Sequence, residues 1–129
     1  MTRIFAIIFV QIVLLSCRET FKNGDVEKFN TLVANRTDIK KPQDLIELYY
    51  GPYKNKEAGS YKIIIDDLKD NKFKITFIRD WLNDDSVWGE KIVMYASLID
   101  STWKVSEIRL NWKCQKGRGH QHWSKDLCD

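Results

Sequence analysis

The feature that most constrains the fold is a regular alternation of apolar and polar residues in the second half of the chain. In residues 72–77, phenylalanine and isoleucine alternate with lysine and threonine, and apolar residues occupy every second position of residues 92–98. This period of two is typical of a strand with one buried and one wet face. Turn residues at 69–71, 83–86 and 100–101 separate the segments, which predicts four antiparallel strands in a meander.

The last predicted strand changes phase along its length. Trp103 and Val105 share one phase, whereas Ile108, Leu110 and Trp112 have the opposite one. A one-residue slip near residues 106–107 restores a single buried face. The pattern therefore predicts a β-bulge at this point.

Two helices are predicted before the strands, over residues 25–35 and 42–50. Apolar residues in the first recur at spacings of three and four. Pro42 suits the first position of the second helix, and Gly51 follows its end. The expected inner faces comprise Val26, Phe29, Leu32 and Val33, then Leu45, Leu48 and Tyr49, with Ile46 at the margin.

Composition places the chain among single folded domains. It has 129 residues, of which 43% are hydrophobic and 30% charged, with a net charge of +3. Acidic and basic residues are interleaved, so the concentrated basic face of a nucleic-acid-binding protein is missing from the pattern. We therefore expect one domain and no nucleic-acid partner.

The N-terminus differs from the rest of the chain. Residues 4–15 are apolar except for Gln11, and Arg3 precedes them. As a helix this run would measure about 18 Å, which is short of the roughly 30 Å of a hydrocarbon core. A basic start and a short apolar run are typical of a secretory signal. We predict a signal peptide over residues 1–16.

The residues that follow make this prediction more specific. "LLSC", Leu14 to Cys17, resembles the lipobox of bacterial lipoproteins. The resemblance implies that Cys17 is acylated and becomes the N-terminus, so that lipid holds the protein on the extracytoplasmic side of a bacterial envelope membrane. Residues 17–23 would be a lipidated N-terminus and polar tether, with the domain at 24–129. A plain secretory signal is the alternative.

The other two cysteines are expected to pair. Export places Cys114 and Cys128 in an oxidising compartment, where a disulfide is the default. It would close a 15-residue loop and stabilise the fold by about 3 kcal/mol. His120 and His122 lie between the cysteines, so a four-ligand zinc site, or a site of the two histidines alone, is the alternative.

Together these elements predict an α+β domain. Two N-terminal helices would pack on a curved four-stranded antiparallel meander, followed by a disulfide-closed C-terminal loop. The element order resembles the cystatin-like and nuclear-transport-factor-like folds, which wrap a curved sheet around N-terminal helices. That resemblance implies no single function, because these folds include enzymes, inhibitors and binding modules.

The C-terminal loop holds the candidate interaction residues. Its glycines would let backbone N–H groups approach an anion, and its cations and aromatics suit sugars, phospholipid head groups or an acidic protein surface. The alternative is a solvated basic loop whose tryptophans pack on the disulfide. The candidates are Lys116, Arg118, His120, His122 and Trp123.

The sequence favours binding over catalysis. It contains no serine elbow, phosphate loop or dinucleotide motif, and we expect no cofactor. We predict a non-enzymatic binding module, such as an inhibitor or immunity-type partner of an envelope protein. One alternative is an enzyme or small-ligand binder of the nuclear-transport-factor-like type, whose polar groups would be Asp80, Glu107, Arg109 and His120. A lipoprotein that handles metal through His120 and His122 is the other.

Overall fold

A computed structural model describes residues 18–52, 54 and 59–129. The predicted signal peptide, residues 1–16, and Cys17 lie outside these ranges. The described chain is α+β, as predicted. Its elements are β1 (Lys22–Asn23), α1 (Val26–Ala34), α2 (Pro42–Tyr50), β2 (Tyr61–Asp67), β3 (Lys72–Asp80), β4 (Val87–Ile99) and β5 (Thr102–Cys114).

Both helices begin and end where local chemistry allows. The Asp25 carboxylate accepts a hydrogen bond from the Lys28 N–H at 2.9 Å and caps α1. Pro42 occupies the first turn of α2, and Gly51 follows it with a φ of 88°, a conformation that glycine adopts at little cost. The predicted helices are confirmed to within one residue. None of the helices in the described ranges is long and apolar enough to cross a membrane.

The sheet has five antiparallel strands in the order β1-β5-β4-β3-β2. Strands β2 to β5 are the predicted meander. The predicted count of four is wrong, because Lys22 and Asn23 pair with Leu110 and Arg109 of β5. Those two residues belong to the predicted polar tether. A two-residue strand has no periodicity of its own, so the sequence pattern could not reveal it.

The β-bulge predicted in β5 is confirmed. Glu107 lies opposite Tyr95 and Val105 lies opposite Ala96, which leaves Ser106 without a partner in β4. Because of the bulge, side chains on either side of Ser106 can face the core from opposite phases of the sequence.

On the side away from β4, the edge of β5 near the bulge is bonded to other parts of the chain. The Asn30 amide of α1 donates to the Val105 carbonyl and accepts from the Val105 N–H, both at 2.8 Å. Farther along, the Gly24 N–H donates to the Ile108 carbonyl at 2.8 Å. A Cβ on Gly24 would lie 2.7 Å from the Ile108 Cγ2, so only glycine fits this close approach.

One hydrophobic cluster contains buried side chains from both helices and from β3, β4 and β5. Two inner-face predictions are wrong. Leu32 is 51% exposed, whereas Ile46 is fully buried beside Leu45. The other buried members are Phe29, Val33, Ile75, Phe77, Ile92, Met94, Ala96, Trp103, Val105 and Ile108.

Candidate functional site

A disulfide between Cys114 and Cys128 closes the C-terminal loop, as predicted. Their Cα atoms are 5.5 Å apart, and Cys114 is buried at the end of β5. Within the loop, Trp112 and Ser124 exchange two backbone hydrogen bonds of 3.0 Å. The Cys114 N–H donates to the His120 carbonyl at 2.9 Å. The loop is therefore tied to β5 by covalent and backbone bonds.

His120 is held by the loop through both ring nitrogens. Its Nδ1 lies 2.9 Å from the His122 carbonyl, and its Nε2 lies 2.9 Å from the Asp126 carbonyl. Both ring nitrogens therefore face backbone carbonyl oxygens of the loop. A metal ion could bind a ring nitrogen only if one of these contacts were broken.

Three of the four residues of the predicted zinc set do come together. Ligand atoms of Cys114, His120 and Cys128 lie within 4.8 Å of one another. Zinc takes cysteine as thiolate, but both sulfurs are joined in the disulfide. The His122 ring lies 5.3 Å from that of His120, between centroids. A zinc site would require reduction of the disulfide and rotation of His120.

Trp123 lies against two lysines. The Lys91 and Lys113 ammonium nitrogens are each 4.5 Å from the centroid of its ring. Lys91 is buried and is bound by both carboxylate oxygens of Glu19 at 2.9 Å. Lys113 has no hydrogen-bond or ion-pair partner in the part of the chain that the structure describes. Among the described residues, its ammonium group contacts the rings of Trp88 and Trp123 instead.

A pair of tryptophans lies on the other side of Lys113 from Trp123 in the sequence, at the β3–β4 hairpin. Trp81 and Trp88 lie with ring centroids 5.6 Å apart across the mouth of the β3–β4 hairpin. The Lys113 nitrogen is 5.4 Å from the Trp88 centroid, and Trp81 is 67% exposed. We call the five residues Trp81, Trp88, Lys91, Lys113 and Trp123 the Trp–Lys surface.

A groove of about 410 Å³ lies beside the Trp–Lys surface. Its polar groups are two ammonium and two amide side chains, and Trp88 and the Cys114 end of β5 complete its wall. The polar residues are Lys113, Gln115, Lys116 and Gln121. Of the predicted interaction residues, Lys116 lines this groove and Trp123 belongs to the Trp–Lys surface. Arg118 and His122 are exposed elsewhere on the loop.

Gly89 of β4 allows Asp80 and Trp123 to approach the sheet closely. A Cβ at this position would lie 2.8 Å from Asp80 Oδ1 and 3.5 Å from the Trp123 ring. Asp80 Oδ1 and Asn111 Oδ1 are buried and receive no hydrogen bond from the described residues. Two acceptors therefore remain near the Trp–Lys surface, because Asn111 lies opposite Lys91 and Asp80 lies opposite Gly89.

The residues expected for a small-ligand pocket lie in different surroundings. Glu107 and Arg109 pair with each other at 2.5 Å, and this hydrogen bond raises the pKa of Arg109. The Arg109 guanidinium also lies 5.6 Å from the Tyr95 centroid. Asp80 lies against Gly89 and His120 is held in the loop. Five cavities formed by described residues are lined by other side chains.

A polar cluster at the end of α2 was not predicted from the sequence. The Tyr50 hydroxyl donates to Glu90 Oε2 at 2.8 Å, and Arg79 Nη1 lies 3.4 Å from the same hydroxyl. Burial and then the bond to Glu90 raise the pKa of Tyr50, so the phenol remains protonated. In the sequence, the only sign of this cluster is the pair Tyr49 and Tyr50 at the end of α2. That pair does not reveal the partners of Tyr50 on β3 and β4.

The loop, the Trp–Lys surface and the groove adjoin one another at the end of β5. No family model, curated protein or solved structure matches the chain.

Proposed function

We propose that this protein is an envelope lipoprotein that acts as a non-enzymatic binding module. Residues 1–16 serve as a signal peptide, and Cys17 carries the acyl chains that hold the domain on the extracytoplasmic side of a membrane. The "LLSC" motif at the end of a short apolar run supports this proposal. Three residues from Cys17, the folded chain already contacts the C-terminal loop, since Thr20 Oγ1 and Ser124 Oγ are 3.1 Å apart.

The observation that carries the binding proposal is the position of Lys113. Its ammonium group lies between the rings of Trp88 and Trp123, without a carboxylate partner among the described residues. A charge-assisted bond to a carboxylate is stronger than a neutral one. Lys113 and Lys116 line the same groove, so an acidic side chain entering it would meet two cations.

The chemistry of the groove favours an acidic protein surface. Gln115 and Gln121 carry amide groups, which both donate and accept and so recognise directed polar groups. Exposed tryptophan next to cations is typical of residues that dominate protein interfaces. We propose an inhibitor or immunity-type role, in which the loop and the Trp–Lys surface bind an acidic envelope protein.

We extend the proposal to the architecture. Both helices would cover one face of a curved sheet, as in the cystatin-like and nuclear-transport-factor-like folds. The shared cluster of helix and strand side chains supports this arrangement, and the bulge at Ser106 would supply curvature.

Site-specific photocrosslinking tests the binding surface. A photoreactive residue at Gln121, in the full chain in envelope preparations, should give one discrete crosslinked protein, and the same residue at Lys28 on α1 should not. Lys113→Gln should reduce the crosslink strongly, whereas Lys104→Gln, which removes a lysine from the same strand, should not. Equal crosslinking from both positions, or indifference to Lys113→Gln, would contradict the proposal.

A vesicle assay separates a protein partner from a lipid one. If Lys113→Gln abolishes binding to vesicles rich in anionic phospholipid and no protein crosslink forms, the surface recognises head groups instead.

The lipid anchor is tested separately. Cys17→Ser should move the protein out of the membrane fraction, and a variant that stays bound to the membrane would refute acylation at Cys17.

A further inference from the structure

Strand β2 is the one long strand that ends the sheet. It pairs with β3 on one side through seven consecutive residue pairs without a bulge. Among the described residues, no strand pairs with its other side. It contains neither proline nor glycine. Uninterrupted edges of this kind pair readily with another strand, and natural proteins usually block them with such devices.

The charges of β2 are arranged so that the strand complements itself. In an antiparallel pair centred on Ile64, Lys62 of each copy lies opposite Asp66 of the other. Ile63 then lies opposite Ile65 on the other face. Lys62 and Asp66 are exposed, and neither forms an ion pair within the described part of its own chain. A parallel pair in register would instead place lysine on lysine and aspartate on aspartate.

The backbone independently favours the same register. The Leu68 N–H donates to the Lys72 carbonyl at 2.9 Å, and the Asp80 N–H donates to the Ser60 carbonyl at 3.0 Å. Even-numbered residues of this segment therefore direct their backbone groups towards β3. Since the direction alternates along a strand, Ile63 and its odd-numbered neighbours direct theirs outwards. Pairing about Ile64 sets odd residues opposite odd residues, as hydrogen bonding between two such edges requires.

We propose that the protein forms a two-fold symmetric dimer through antiparallel pairing of β2 with β2 of a second copy. The two five-stranded sheets become one continuous sheet. Lys62–Asp66 pairs flank the two Ile64 side chains on one face, and Ile63–Ile65 pairs lie on the other. This interface is independent of the Trp–Lys surface and of the lipid anchor.

Cysteine crosslinking tests the register in the full-length chain. At the symmetry centre, the two residues 64 form a non-hydrogen-bonded pair with Cα atoms about 4.5 Å apart, within the range that a disulfide spans. Ile64→Cys should therefore give a covalent dimer on mild oxidation. Lys62→Cys lies on the same face, but its two copies would be about 13 Å apart, and it should not. The unsubstituted chain is the control, because a covalent dimer of it would show that a disulfide forms through Cys17.

Charge substitution in the Ile64→Cys background tests whether Lys62 of each copy pairs with Asp66 of the other. Lys62→Asp or Asp66→Lys alone sets like charges opposite each other twice, and each should reduce the crosslinked fraction by roughly tenfold. Coexpression of the two variants should restore the crosslink, because a mixed dimer again joins opposite charges. Lys62→Asp is the cleaner variant, since it lies opposite Ile78 within its own chain, whereas Asp66→Lys faces Lys74.

Three results would overturn the dimer. They are equal crosslinking through positions 62 and 64, full crosslinking by the single charge variants, or no recovery in the mixture while both variants keep their thermal unfolding midpoint. The last measurement separates loss of the interface from loss of the fold.

Discussion

At one edge of the sheet, β5 is bonded along its length, whereas at the other edge β2 pairs only with β3 among the described residues. The partners of β5 are, in order, the Asn30 side chain, Gly24 and β1, Ser124, and the His120 carbonyl. These partners come from four separate places in the chain. The difference shows that one edge is closed by tertiary contacts, and it leaves β2 as the edge for a second molecule.

Removing the disulfide should have the largest effect on the closed edge. Cys114→Ser together with Cys128→Ser frees a loop whose ends are 14 residues apart, and we expect unfolding to become easier by about 3 kcal/mol. Urea denaturation measures this, and reduction of the unsubstituted protein should give the same loss. A loss near zero would mean that the backbone bonds of the loop are sufficient to hold it.

Asn30→Ala should open the closed edge at the bulge. The Val105 N–H and carbonyl both lose their partner, and we expect a loss of about 2 kcal/mol. Asn35→Ala is the matched control, because its amide donates to the Thr31 carbonyl on the exposed side of the same helix. Equal losses from the two variants in thermal unfolding would show that Asn30 does not close the edge.

Glu19→Gln should weaken the attachment of the N-terminal segment to the sheet. Lys91 is 9% exposed and would lose the carboxylate that now binds it. Because the Glu19 side chain is 41% exposed, we expect a loss of only about 1 kcal/mol. Glu27→Gln, which neutralises an exposed acid on α1, should change the urea midpoint less. Identical midpoints would contradict this role of Glu19.

The smallest expected effect on stability concerns Asp84, in the β3–β4 turn that contacts the C-terminal loop. The N–H groups of Val87 and Ser86 lower the pKa of Asp84, and the Gln115 amide donates to the Asp84 carbonyl. A carboxyl whose pKa is lower folded than unfolded stabilises the protein above about pH 4. This contribution is lost as the pH falls through the folded pKa.

Stability measured from pH 5 to pH 2 tests this coupling. Asp84→Asn should show a shallower acid decline than the unsubstituted protein, whereas Asp85→Asn removes the same charge from the same turn and should not. An unchanged slope in Asp84→Asn would contradict the prediction.

Features with a local pattern could be predicted from the sequence. The meander, both helices and the bulge follow from periodicity. The exposure of Leu32 was missed because α1 buries a narrower face than its apolar residues suggest.

Features that join distant residues could not be predicted. Asn30 and Val105 are 75 residues apart, and Glu19 and Lys91 are 72 apart. No local pattern links such partners. The same reason hid the position of Trp123 between Lys91 and Lys113, although composition had already indicated aromatics and cations near the loop.

If Cys17 is acylated as proposed, the contact between Thr20 and the C-terminal loop would limit where the protein can work. Thr20 Oγ1 lies 3.1 Å from Ser124 Oγ and accepts from the Lys125 N–H at 3.2 Å. Thr20 is the third residue after Cys17, a reach of about 10 Å even when fully extended. With the proposed acyl chains on Cys17, the loop would sit at the height of the lipid head groups. Its partner would then be met by lateral diffusion in the plane of the membrane, and a protein unable to approach that plane would be excluded.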